Sequence, residues 1–242
     1  MNGKLFVIIP CFNEEACIAG TISDLRRNLP EARIVAVNDG SSDRTLACLN
    51  EIGDPGLTVL DLPFNSGIGT AVQTGLRYAA RYGADYAVKF DADGQHPAEA
   101  IPRMLDAIDR DTADLVIGSR FLEKEGFQST FCRRLGIVCF RVLNSMLTGQ
   151  RITDNTSGFR AYDRAALQYA AENYPSFDYP EPEEVVLMAK NRFRIAEVPI
   201  KMRSRQGGKS SISPAKSVYY MCKVLFSVLM ASLRPATRGK EE

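Results

Sequence analysis

The sequence predicts an α/β fold built on a mostly parallel sheet flanked by helices, and three observations carry this. Short apolar runs alternate with helical stretches of roughly ten to fifteen residues through the first half of the chain. The runs are continuously apolar, as strands covered on both faces must be. The segments that follow them are polar and glycine-rich, which suits the carboxyl edge of a parallel sheet, where ligands bind.

The elements follow in order. Leu5 to Ile9 reads as a strand, followed by a helix from about Glu14 to Asn28. Arg33 to Val37 is a second strand, with a helix from about Asp43. Leu57 to Leu60 is a third, with a helix from about Gly67 to Tyr82. Tyr86 to Phe90 is a fourth, and a helix from about Pro97 to Asp109 leads to a fifth strand over Asp114 to Gly118. The second half is less regular: a helix over Phe131 to Leu147, a strand over Ser157 to Tyr162, a break at Pro180-Glu181-Pro182, a helix from about Glu183 to Asn191 and a strand from Arg194 to Met202.

Composition narrows the class. The 242 residues are 45% hydrophobic and 24% charged, which excludes low-complexity disorder and allows a core without staples. From Lys201 onward nine cations face two acids, so this end carries +7 of a total of +1 and the remainder is near −6. Such a block points to an anionic partner or to a solvated tail. The six cysteines include no C-x-x-C pair and His96 is the only histidine, so a zinc site is not expected. No signal peptide is recognised, and a reducing cytoplasm is expected. The apolar stretch Val218 to Leu233, interrupted by Lys223, is short for a spanning helix and reads as interfacial, partner-facing or core.

Several polar segments can carry chemistry. Asp91-Ala92-Asp93 follows the fourth strand, and a hard divalent cation would neutralise this pair, with Gln95 as a further oxygen ligand; taken alone the motif is weak, and a turn capping the next helix is the favoured reading. Asp39, after the second strand, can accept from a nucleobase or ribose. Asp43 reads as a helix cap. Asn65-Ser66-Gly67 permits close approach of backbone to a ligand, or of helix to strand. Arg120, Arg133, Arg134, Arg160, Arg205 and Lys209 lie in polar settings, and Arg205 to Ser210 suits a basic loop closing over phosphates.

In this order the motifs resemble the family 2 glycosyltransferases of GT-A fold, in the dolichyl-phosphate mannose synthase and polyprenyl-phosphate glycosyltransferase branch. They are Pro10 to Glu15, Val37 to Asp43, Asn65 to Gly67, Asp91 to Pro97, Gly118 to Phe121, Asp154 to Arg160, Glu197 to Ile200 and Arg205 to Ser211. The resemblance spans roughly residues 4 to 212. It implies a catalytic domain over 1–212 and an amphipathic helical extension over 213–242.

It also implies roles. Pro10, Phe12, Asn13, Glu14, Asp39, Asn65, Gly67, Asp91, Ala92, Asp93, Arg120 and Arg205 would bind a nucleotide sugar. Asp91, Asp93 and Gln95 would hold Mg2+ or Mn2+. Arg120, Arg134 and Arg160 would meet an acceptor phosphate. Asp93, Asp154, Glu183 and Arg205 would be catalytic. Asn38 stands where relatives commonly carry a first aspartate, and Ile68 where many carry lysine.

The expected reaction is inverting transfer of a hexose to a polyprenyl phosphate by a peripheral protein on the cytoplasmic face of the cell membrane. The alternatives are transfer to a sugar hydroxyl of a lipid-linked cell-surface glycan, or a scaffold that binds nucleotide sugar without turnover. A small membrane-protein partner or self-association would hold the chain at the membrane. Nucleic acid is not an expected partner, because the basic residues are not interleaved with aromatics.

Overall fold

The computed structural model describes residues 3–110, 112–122, 145–150, 152–175, 178–203 and 214–237, the side chains of 214–222 excepted. Seven strands form one sheet: β1 (Leu5–Cys11), β2 (Arg33–Asp39), β3 (Leu57–Leu62), β4 (Tyr86–Lys89), β5 (Leu115–Ser119), β6 (Arg160–Tyr162) and β7 (Ile195–Pro199). Their spatial order is β3-β2-β1-β4-β6-β5-β7. All pairings are parallel except those of β6, which runs antiparallel to both β4 and β5. The helices are α1 (Ile18–Asn28), α2 (Thr45–Glu51), α3 (Ile68–Arg81), α4 (Ile101–Asp109), α5 (Arg164–Asn173), α6 (Glu181–Lys190) and α7 (Pro214–Leu233).

Strand alternation distributes the core over two faces. Val7 and Ile9 of β1 join Ile18, Ile22 and Leu25 of α1 and Met104 and Leu105 of α4. Phe6 and Ile8 point the other way, onto Val72 and Leu76 of α3 and Leu167 of α5. Gly75 lets α3 lie against the sheet, since a Cβ there would overlap Ile8. With both faces covered, the strands need the continuous apolar runs seen in the sequence.

The structure shifts some boundaries. The first helix begins at Ile18 rather than near Glu14, because residues 12–17 form a turn that belongs to the site. The sixth strand is only Arg160–Tyr162, and α5 after it was not anticipated. Pro180 and Pro182 do not break the chain but start α6, with Pro180 at the N-cap, a position where the missing N–H costs nothing. Most of the helix expected over Phe131 to Leu147 lies outside the described residues; 145–148 are helical.

Val218 to Leu233 falls within α7. Val228 and Ala231 of α7 pack against Val186 and Leu187 of α6. Leu225, Phe226, Leu229, Met230 and Leu233 face solvent. No helix among the described residues is long and apolar enough to cross a membrane.

Candidate active site

Strand order reverses between β1 and β4, whose neighbours lie on opposite sides, and a crevice opens there at the carboxyl edge. The cleft has a volume of about 520 Å3, in the range of small-molecule sites. Pro10, Phe12, Glu14, Asp39, Asn65, Gly67, Asp91, Ala92 and Asp93 all line it. A hollow of about 540 Å3 at the opposite edge, beside Lys4, Pro30, Arg33 and Tyr86, lies at the wrong end of the strands for this type of sheet.

The wall on the β1 and β2 side is made of stitched loops. Asn13 adopts a left-handed backbone (φ 56°), and its Oδ1 accepts from the amide of Ser42 at 2.8 Å. The Asn13 amide donates to Ser41 Oγ at 3.0 Å, and that of Glu14 to Thr45 Oγ1 at 2.8 Å. Asn13 is therefore a brace between the β1 and β2 loops and is not among the residues lining the cleft. Asp39 accepts from the amides of Ser66 (2.7 Å) and Gly67 (3.0 Å), one on each carboxylate oxygen, which draws the loop before α3 onto β2. Asn38 Nδ2 donates to Asp61 Oδ1 at 2.7 Å; a second aspartate there would repel Asp61. Phe12 stands exposed at the rim.

Asp91 follows β4 at the centre of the cleft. Its amide donates to His96 Nδ1 at 3.1 Å, which leaves the other ring nitrogen protonated and facing Asp91 Oδ2 at 3.4 Å. His96 is buried, stacked on Phe159 with 4.8 Å between ring centroids. Burial pushes its pKa down, against the opposing pull of Asp91 and Asp93, so the imidazole is neutral. The other carboxylate oxygen, Asp91 Oδ1, is buried with no hydrogen-bond partner. Such an orphan in a native site calls for an ion or ligand. The backbone of Gly158 lies against the same carboxylate.

Asp93 Oδ1 accepts from the amide of Gln95 at 3.0 Å. Among the described residues no three His, Cys, Asp or Glu side chains form a cage for a metal. Asp91 and Asp93 instead fit the sparse mode in which one or two carboxylates share a divalent ion with substrate phosphates. Gln95 does not line the cleft, and its side-chain amide donates to the Arg203 carbonyl at 3.4 Å.

Other expectations are corrected. Arg160 does not meet an acceptor phosphate. It is fully buried, its Nη1 donates to Glu184 Oε2 at 2.6 Å, and its other nitrogens serve the carbonyls of Ser157, Asn155 and Glu181. Asp154 is not placed as a base. It is buried, and its two oxygens grip Arg120 Nε and Nη2 at 2.7 Å each. That fork aims Arg120 past Thr156 Oγ1, also at 2.7 Å, and neither Arg120 nor Asp154 lines the cleft.

Glu183 is buried and faces Arg234 Nη2 at 3.5 Å, on the α7 side of α6. The acidic residue of α6 that lines the cleft is Glu181, with Asp178, Tyr179, Thr156, Gly158, Cys11 and Ile68 as further lining residues to which motif reading gave no binding role. Arg134, Arg205 and Lys209 lie outside the described residues.

A mostly parallel sheet with one reversed strand, and a carboxylate pair at its switch point, define the catalytic domain of a glycosyltransferase of GT-A type. The chain belongs to glycosyl transferase family 2, whose family model matches residues 6–169.

Among curated relatives, UDP-N-acetylglucosamine–dolichyl-phosphate N-acetylglucosaminyltransferase of Methanococcus voltae is 29% identical over 95% of this chain and 96% of its own length. Polyprenol monophosphomannose synthase of Mycolicibacterium smegmatis is 33% identical over 91% of this chain and 85% of its own. Undecaprenyl-phosphate mannosyltransferase of Micrococcus luteus is also 33% identical, over 87% and 88% respectively. Glucosyl-3-phosphoglycerate synthase of Mycobacterium tuberculosis, solved with Mn2+, UDP and phosphoglyceric acid, superposes with a TM-score of 0.72 at 20% identity, covering 98% of this chain and 81% of that one. At that identity the likeness speaks for the fold.

Proposed function

We propose that this protein is an inverting glycosyltransferase that moves a hexose from a nucleotide sugar to a polyprenyl phosphate. The observation that carries the reading is the unpartnered Asp91 Oδ1 in a cleft at the strand switch point, in a chain whose relatives are named for transfer to dolichyl, polyprenol and undecaprenyl phosphates.

Phe12 at the rim offers a face for the base, and the loop held by Asp39 brings backbone of Ser66 and Gly67 to the nucleoside. Held by Asp91 and Asp93, Mg2+ or Mn2+ would offset the charge that develops on the departing nucleoside diphosphate. His96, neutral and buried, keeps Asp91 in place without competing for its second oxygen. A phosphate acceptor is already anionic near neutral pH, so displacement from the far side of the sugar needs orientation rather than a base. We assign that orientation to Arg134 and Arg205, with Arg120 contributing positive potential near Asp91.

The domain assignment stands as part of the proposal: 1–212 for catalysis and 213–242 for attachment. The exposed apolar residues of α7 would rest on the cytoplasmic face of the membrane, with or without a small membrane-protein partner.

The test has two stages. Nucleotide sugars with Mn2+ are screened by thermal shift, where the donor raises the melting temperature most. The best donor is then incubated with undecaprenyl phosphate and the organic phase examined for glycolipid. A labelled glycolipid is expected; its absence with every donor would overturn the proposal.

A further inference from the structure

Lys89 ends β4, two residues before Asp91, and its side chain is completely buried. An isolated ammonium in a sheet core is costly, and an apolar residue would serve packing better. Its Nζ donates to Glu181 Oε1 at 2.5 Å. Glu181 opens α6, and Arg160 Nη2 donates to its carbonyl at 2.8 Å, so both backbone and carboxylate of Glu181 are pinned. Glu181 nevertheless lines the cleft, and among the described residues none donates to its Oε2.

The location defines what Oε2 meets. The cleft runs across the strand order, from the nucleoside wall on β2 and β1, past Asp91 after β4, to Gly158, Tyr179 and Glu181 on the β6 side. A group carried beyond a diphosphate held at Asp91 would face this Glu181 end. Asp178 lines the same end, where Lys223 Nζ donates to its Oδ2 at 2.8 Å, so the carboxylate oxygens at this end offer acceptors to hydroxyls.

We propose that Glu181 is a specificity-determining residue for the transferred sugar, accepting through Oε2 from its hydroxyls, and that Lys89 is the positioning residue that holds the carboxylate there. This rests on the glycosyl-transfer reading above. A site built to accept from a sugar hydroxyl discriminates strongly against a sugar that places none there.

The test separates sugar from nucleotide. Titration calorimetry with Mn2+ compares UDP with UDP-glucose and UDP-N-acetylglucosamine, and GDP with GDP-mannose. In Glu181→Gln, binding of the nucleoside diphosphates should be unchanged, and binding of the preferred nucleotide sugar should weaken by roughly 10- to 100-fold, the worth of a hydrogen bond to a charged group. Glu181→Asp, which keeps the charge but withdraws it by one methylene, should show the same split, and the order of preference among sugars should flatten in both variants. Equal weakening of UDP and UDP-sugar, or unaltered sugar preference, would overturn the assignment of Glu181 alone. Wild-type protein that binds none of the nucleotide sugars would overturn the transfer reading and this assignment together.

Discussion

Gly158 lies so close to Asp91 that a Cβ on it would stand 3.1 Å from Oδ2 and 3.2 Å from Oδ1 of the carboxylate. That separation is tighter than ordinary van der Waals contact, so the carboxylate would have to give way. Gly158→Ala should therefore leave the fold intact and weaken Mn2+-dependent binding of nucleoside diphosphate, by about tenfold if the displacement removes one charge-assisted contact. Calorimetry with and without Mn2+ reads this directly. Wild-type affinity in the variant would show that the carboxylate is not the point of attachment.

Arg160 and Glu184 form a buried ion pair, with Tyr162 Oη donating to the second oxygen of Glu184 at 2.9 Å. Removing the carboxylate strands a buried guanidinium. Glu184→Ala should lower unfolding free energy by about 3–5 kcal/mol, measured in urea. The double variant Arg160→Met, Glu184→Leu should recover only part of this. The carbonyls of Asn155, Ser157 and Glu181 lose their donor with the arginine.

Asp43 couples stability to pH. Burial raises its pKa, but hydrogen bonds from the hydroxyl and amide of Thr45 and the amide of Glu15 outweigh this and hold it below the ordinary 3.8. A depressed native pKa means that the native state binds fewer protons than the unfolded chain in that window. The stabilisation is thus complete above the ordinary carboxylate range and disappears as pH falls through the native value. Urea unfolding of wild type and Asp43→Asn should differ at about pH 6 and converge only as the pH falls well below the ordinary carboxylate range. A gap that persists unchanged at the acid end would contradict this.

The exposed face of α7 makes a separable prediction. Replacing Phe226 and Leu229 by serine removes apolar surface that faces solvent in the structure, so the melting temperature should hardly change. Co-sedimentation with anionic phospholipid vesicles should fall sharply. Undiminished co-sedimentation would remove α7 from the attachment surface, and truncation from Ser213 onward would then show whether any of this segment is needed.

The first five strands and their loops were legible because local pattern decides them. A continuous apolar run such as Val7 to Ile9 has few alternatives to a doubly covered strand. The polar segments around Asp39, Gly67 and Asp91 could only lie at strand ends. The second half was harder because its short elements depend on partners. Arg160 looks like a loop cation until β6 pairs between β4 and β5 and carries it into the core. Glu181 and Glu183 illustrate the same point on a helix. Reading the two prolines as a break placed the helix start at Glu183. In fact α6 begins at Glu181, and two residues along a helix is a turn of roughly 200°, so Glu181 faces the cleft while Glu183 faces Arg234.

The sequence by itself determined the parallel α/β sheet, the edge that carries the site and the carboxylate pair Asp91 and Asp93, because hydrophobic periodicity and loop composition are local properties of the chain. Only the tertiary structure decided which buried charges pair with which. Asp154 holds Arg120, Arg160 holds Glu184, and Lys89 reaches across the sheet to Glu181. The physical reason is that a charged side chain takes its role from its partner and its burial. For these pairs the partner lies 34, 24 and 92 residues away, where no local pattern reports it.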